Sequence, residues 1–284
     1  MSRVAVVREE GLARLPFRPE DEEVARRFTA LLRQALKLLD WGPRCRGRSV
    51  LIKPNLVRTF PGRPGNTTDP RVILGLLRAL QEHRPARLLV GENPGCGVTS
   101  VKAFAESGCG RVARLAGAEL RPFDREPLAE VEVPGGVLLR RARVPRVWLE
   151  ADLVINLPAM KTHLHAGVSL GIKNLHGLLV DEDRYFFHRM DVHQKMVDLL
   201  KIRPPDLTVI DGVLVDGTAA ATRGSATVSG WFDRYVVDGL VNLQAWIVQN
   251  VSAVLRKVQT GVTQNYALAI VLGIVILSFV YIFR

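Results

Sequence analysis

The sequence is short of cysteine: Cys45, Cys96 and Cys109 are all it has, and no two of them form a C-x-x-C pair. That spacing excludes an iron–sulfur motif or a zinc knuckle within the chain, and the odd number reads as free thiols in a reducing compartment. Aromatic residues are also scarce, at 6% of 284 residues. A net charge of +11 raises nucleic acid as a partner, but the arginines are scattered over helices and turns with no interleaved aromatics. Base stacking then has no platform, and nucleic acid is not expected. A basic surface beside an anionic membrane leaflet is the reading that remains. The amino terminus, MSRVAVVREE, lacks the apolar stretch and cleavage site of a signal peptide, so the main domain is expected in the cytoplasm.

Charge itself runs out toward the carboxyl end. Beyond Gly224 the charged side chains are Asp233, Arg234, Asp238, Arg256, Lys257 and Arg284. Tyr266 to Phe283 is 18 residues with no charge; as a helix it would rise about 27 Å against a hydrocarbon core of roughly 30 Å. It is expected to be a single C-terminal transmembrane helix, with Arg256 and Lys257 on the domain side in keeping with the positive-inside bias. Upstream, Val237, Leu240, Val241, Ile247, Val248 and Val251 recur at helical spacing in a charge-poor stretch, predicting an amphipathic helix that lies at an interface or against a membrane partner. The expected organisation is an α/β domain over 1–217, a linker over 218–230, an amphipathic helix over 231–262 and the membrane helix over 263–284.

Within the first part, short β-branched runs alternate with helical patterns. The runs are RVAVV near Val4, SVLIKPN ending at Asn55, ARLLVGEN ending at Asn93, ADLVINLPAM near Ile155 and DLTVIDG ending at Gly212. EEVARRFTALLRQALKLLD, DPRVILGLLRALQEH and VHQKMVDLLKI, between them, carry apolar residues three and four apart. That rhythm predicts an α/β fold, a mostly parallel open sheet with helices on both faces. Asp69 reads as an N-cap with Pro70 at the first helical position, and Pro134-Gly135-Gly136 as the turn of a hairpin at the sheet edge.

Open α/β sheets bind ligands outside the carboxyl ends of their strands. The residues standing there are Lys53 and Asn55, Glu92 and Asn93, Lys161 and His163, and Asp211. Lysines with neighbouring amides suit a small anionic ligand bearing phosphate or carboxylate. Lys173 and Asn174 are expected to close over it, and Gly95 and Gly97 to offer backbone N–H groups as an anion nest before a helix starting at Thr99 or Ser100. Lys161, His163 and Asp211 are the candidate catalytic groups, with His163 suited to general acid–base work. No H-x-x-x-H or H-E-x-x-H spacing supports a metal, and none is assigned; His163 with Glu92 or Asp211 is the alternative donor set. GVSLGIKN is not a P-loop, because Ile172 separates Gly171 from Lys173. Gly167 and Gly171 read instead as a small face on one helix. Arg184 and Arg189 fit solvated helix positions as well as anion clamps.

VLIKPNLV, NTTDPRVILGLLRAL, LLVGENPG, FAESGC, ADLVINLPAMKTHLHAGVSLGIKNLHGLL and RPPDLTVIDGV, in this order between about Arg3 and Val213, resemble the domain of unknown function 362 family. The resemblance implies that Lys53, Asn55, Glu92, Asn93, Lys161, His163, Lys173, Asn174 and Asp211 are motif positions. It also implies a redox setting with ferredoxin-type partners, and it names no cofactor. After VIDG the sequence departs from the family pattern, so the sheet is expected to lack its last strands. The stretch from Gly230 to Phe283, above all LRKVQTGVTQNYAL, is similar to the carboxyl end of subunit L of NADH-quinone oxidoreductase. That second resemblance implies quinone-oxidoreductase subunits as partners and offers a membrane-arm component, with the soluble domain as passenger, as the alternative function.

Overall fold

The structure, a computed structural model, describes residues 3–9, 11–12, 15, 18, 21–57, 66–94, 97–163, 167–179, 191–213 and 263–283. The chain divides into two units, Met1–Ala219 and Ala220–Arg284.

The first unit is built on a five-stranded sheet of β1 (Ser49–Pro54), β2 (Arg87–Glu92), β3 (Glu119–Pro122), β6 (Leu153–Leu157) and β9 (Leu207–Thr208). Its order is β3-β2-β1-β6-β9 and each pairing is parallel. Side chains alternate across the pleat. Val50, Ile52, Val90 and Ile155 enter one core, which they share with Phe28, Leu74 and Val112. Leu51, Leu89 and Val154 enter the other, with Trp148, Leu175 and Leu199. The near-continuous apolar strands are what a sheet covered on both faces requires.

On the first face lie α1 (Glu22–Leu38), α2 (Pro70–Gln81), α3 (Ser100–Glu106) and α4 (Cys109–Leu115). The Asp21 carboxylate caps α1, and its buried residues Val24, Phe28, Leu32 and Leu36 recur every four residues, so one stripe meets the core. α1 crosses α2 at Gly75, where a Cβ would lie 2.8 Å from the backbone of Phe28; only glycine permits that approach. Asp69 and Pro70 start α2 as the sequence indicates, the Asp69 carboxylate accepting from Arg71 N. The second face carries α5 (Arg146–Glu150), α6 (Gly171–Asn174) and α7 (Val192–Ile202).

Three expectations need correcting. RVAVV forms no strand: Val4 and Val6 are exposed, and residues 3–9 run along α1, with Arg3 bonded to Leu38 O and Glu9 to Arg27. Its period of two suits a strand, but its half-buried residues find a helix surface instead of a sheet edge. The hairpin exists, as β4 (Leu128–Glu132) paired antiparallel with β5 (Arg141–Pro145). It is a separate two-stranded sheet and not the edge of the parallel one, because Val133, Ala142 and Val144 are drawn into the second core against Phe123 and Trp148. Gly167 and Gly171 do not share a helix: Gly167 lies in β8 (Gly167–Ser169), which pairs antiparallel with β7 (Lys161–His163), and Gly171 opens α6.

In the second unit, α8 spans Thr263–Ile282. Leu268, Ile274, Leu277, Phe279 and Ile282 are exposed. Among the described residues no helix is long and apolar enough to cross a membrane. The expected transmembrane helix is therefore not established by the fold. The expected linker over 218–230 and amphipathic helix over 231–262 lie outside the described residues.

Candidate functional site

β1 stands at the centre of the sheet, with β2 on one side and β6 on the other. The chain leaves β1 toward β2 and later returns to β6, which makes the gap between the carboxyl ends of β1 and β6 the topological switch point, where open sheets form their binding crevice. Register pairs Lys53 with Asn156 and Pro54 with Leu157 across that gap. Just beyond it Thr68 ties the strand ends together: its Oγ1 accepts from Asn55 N (2.8 Å) and donates to Leu157 O (2.7 Å).

Lys161 reaches over this switch point. Its Nζ donates to Asn55 Oδ1, at the end of β1, and to Asn66 O. Both acceptors are neutral, and Lys161 is in no ion pair among the described residues. Burial, with the charges of Lys173 and Lys53 nearby, pushes the Lys161 ammonium down to about 8, against the opposing pull of Glu92. A lysine in that state is a proton carrier and an anion ligand at once.

Beneath it lies a buried ion pair. Lys53 Nζ donates to Glu92 Oε2 (2.5 Å) and to Asn174 O (2.7 Å), and the lysine and carboxylate side chains are 0% and 2% exposed. Glu92 Oε1 accepts from Asn93 N (2.8 Å), and Asn93 Nδ2 donates to Leu179 O (2.9 Å). Gly177 closes the space: a Cβ there would lie 1.9 Å from Glu92 Oε1 and 2.7 Å from Lys53 Nζ. Asn174 Nδ2 donates to Asn156 Oδ1 (2.8 Å), while its own Oδ1 is buried without a hydrogen-bond partner. Lys173 Nζ lies 3.2 Å from His176 Nδ1.

Asp211 belongs to a third group at the same rim. Its N donates to Pro158 O (2.9 Å), its O accepts from Met160 N (2.9 Å), and its Oδ2 accepts from Asp69 N (2.8 Å). Asp69 in turn holds Arg71, whose guanidinium lies over the Phe28 ring at 5.1 Å. Asp211 is thus a tie between the loop after β6 and the start of α2. Burial pushes its carboxyl up to about 6, with the Asp69 charge adding to the rise and the N–H groups of Asp69 and Val213 working against it.

The strand ends therefore bring Lys53, Asn55, Glu92, Asn93, Lys161 and Asp211 to one edge, with Lys173 and Asn174 supplied by α6. They are not equivalent lining groups, since Lys53 and Glu92 satisfy each other underneath. Gly95 lies outside the described residues, as do His165, Arg184, Arg189 and the side chain of His163. At the start of α3, Ser100 N donates to Asp124 Oδ2 (2.9 Å), so that N–H is already engaged; of the expected anion nest, Gly97 is described with φ +83° and Gly95 is not. Among the described residues no group of three or more His, Cys, Asp or Glu is placed to hold a metal ion. Cys45 and Cys109 are buried free thiols, and burial pushes Cys109 up to about 12, which leaves it unreactive. Sequence reasoning passed over Asn156, a polar residue inside a buried strand, and Gly177, whose only signal was a glycine in the run NLHGLL.

A family model described as Domain of unknown function (DUF362) matches residues 50–231, well over half of the chain. The chain belongs to the DUF362 family. The match begins at β1 and runs past Val213, so it both starts and ends later than the motifs suggested. A thylakoid-associated protein of Synechocystis is 29% identical over 182 residues, 59% of this chain and 52% of the relative. The chain thus spans about half the length of that curated relative. Among solved structures, the lactate racemase apoprotein of Thermoanaerobacterium thermosaccharolyticum is 15% identical over 64% of this chain and 48% of that one, with a TM-score of 0.38. A Thermotoga maritima protein is 17% identical over 52% of this chain and 36% of that one, with a TM-score of 0.36. At these scores neither structural likeness carries an argument about this DUF362 chain.

Proposed function

We propose that this DUF362 domain binds a small anion, a phosphate or carboxylate group, in the crevice between the carboxyl ends of β1 and β6. The observation that carries the reading is Lys161, held across the switch point by neutral oxygens, its pKa depressed by burial first and then by the charges of Lys173 and Lys53. An incoming anion relieves that repulsion and gains charge-assisted hydrogen bonds, so binding and protonation of Lys161 reinforce each other. Lys161 is also the group best suited to move a proton at the bound ligand, since burial brings its pKa down to about 8, closer to neutral pH than that of a free lysine. Asp211 acts through the loops it ties, and His163 follows on the same short strand as Lys161.

The same reading includes association with a membrane through α8. It carries no charged side chain from Thr263 to Ile282, its apolar side chains from Leu268 on are largely exposed, and a relative of this chain is named as thylakoid-associated. Retention of the full chain in membranes after alkaline carbonate extraction supports this part; release into the supernatant refutes it. The alternative of a membrane-arm component rests on the stretch from Gly230 to Phe283, of which α8 is described, and gains no support from the family match over residues 50–231.

The anion site is tested by thermal unfolding of the full chain with inorganic phosphate and with a panel of small mono- and dicarboxylates. A ligand at 100 times its dissociation constant adds about 2.7 kcal/mol, or roughly 5–11 °C for a domain of this size. The reading predicts such a shift with at least one member and its loss in Lys161→Met. No shift with any member, or an unchanged shift in the variant, overturns it.

A further inference from the structure

The rim opposite the crevice, where the strands begin, carries a second surface. The first-face helices return their carboxyl ends to it: α1 ends at Leu38, α2 at Gln81 and α4 at Leu115. Arg44, Arg46 and Arg48 precede β1 and Arg84 precedes β2, all exposed. The two loops are joined by Gly47 N to Arg84 O (3.0 Å) and Ala86 N to Arg48 O (2.9 Å), so the arginines form one patch. Cations favour helix carboxyl ends, but that effect is confined to the last turn and does not explain a cluster on the loops beyond it.

Two neighbouring carboxylates are turned to other cations, Glu82 to Arg33 at 2.5 Å and Glu119 to Arg87 at 2.7 Å. Asp152, held by Ser49 N and Oγ, keeps its charge and sets it against Arg48, so Arg44, Arg46 and Arg84 carry the excess positive charge of the patch. Asp40 and Glu150 are exposed on the same rim. Apolar side chains project among the cations. Leu38 and Leu115 are exposed, and the bond from Arg3 to Leu38 O (3.3 Å) brings Arg3 and the following Val4, 85% exposed, beside Leu38.

We propose that this rim docks on an anionic lipid surface. Guanidinium groups match lipid phosphates, and isolated valine and leucine side chains enter the boundary below the headgroups. A nucleic-acid surface would offer stacking aromatics, and Trp41, the aromatic next to these loops, is buried. The proposal is independent of the anion crevice and takes from the membrane reading only the presence of a bilayer.

The test is amide hydrogen exchange on the full chain in nanodiscs of phosphatidylcholine alone and of phosphatidylcholine with phosphatidylglycerol. Residues 3–8, 44–48 and 82–87 are expected to exchange at least tenfold more slowly in the anionic discs only. The combined Arg44→Gln, Arg46→Gln and Arg84→Gln variant, with an unchanged thermal midpoint, is expected to weaken docking about fivefold for each arginine replaced. Equal exchange in the two lipids, protection that survives the triple replacement, or stronger protection by a single-stranded oligonucleotide than by anionic vesicles overturns it. A chain that enters neither disc counts against α8 as an anchor, and the same comparison then runs on vesicles of the two compositions added to the free chain.

Discussion

Replacing Glu92 by glutamine keeps its shape and removes its charge. The ammonium of Lys53, fully buried and 2.5 Å from Glu92 Oε2, then faces a neutral amide in place of that carboxylate, beside the Asn174 carbonyl. Breaking a buried ion pair from one side costs about 3–5 kcal/mol, because an uncompensated charge stays in a low-dielectric interior. For a domain of this size each kcal/mol moves the midpoint about 2–4 °C, so Glu92→Gln is expected to lower it by roughly 6–20 °C. The assay is differential scanning calorimetry of the full chain in mild detergent. Adding Lys53→Met removes the stranded charge, and the double variant is expected to recover part of the loss. A Glu92→Gln penalty below about 1 kcal/mol, in the range of an exposed pair, would refute the reasoning.

The remaining predictions use the same network. Asp211 has its carboxyl raised to about 6 from 3.8, so between these values the native state binds the extra proton and stability falls as pH rises, by about 3 kcal/mol in all; Asp211→Asn is expected to flatten the urea midpoint between pH 4 and 6, and an unchanged slope contradicts this. Gly177→Ala drives a methyl into Glu92 Oε1 and Lys53 Nζ and is expected to destabilise by about 1–3 kcal/mol through overpacking, read as a lowered calorimetric midpoint. Ile276→Arg puts a charge into α8 and is expected to weaken membrane insertion by about 2.5–3.5 kcal/mol, measured as the fraction of chain resisting carbonate extraction.

Much of the sheet could be read in the sequence because each parallel strand is a short apolar run that ends abruptly in polar residues. Val50 to Ile52 followed by Lys53, and Leu88 to Val90 followed closely by Glu92, mark both the strand and its functional end. Asp69 and Pro70 announced the start of α2 for a similarly local reason. Long-range pairing was hidden. Nothing local indicates that Lys53 and Glu92, 39 residues apart, neutralise each other, or that Asp124 reaches back 24 residues to hold Ser100 N at the start of α3. RVAVV failed because its alternation is shared by strands and by extended segments lying on a helix, and only the position of α1 decides between them.

The central claim is that an anion sits against Lys161 at the β1–β6 switch point, and competitive acylation at pH 8 addresses it most directly. With the best ligand of the panel at saturation, the account predicts at least tenfold slower labelling of Lys161 and an unchanged rate at the exposed Lys102. Equal slowing at both lysines, or none at Lys161, would contradict it.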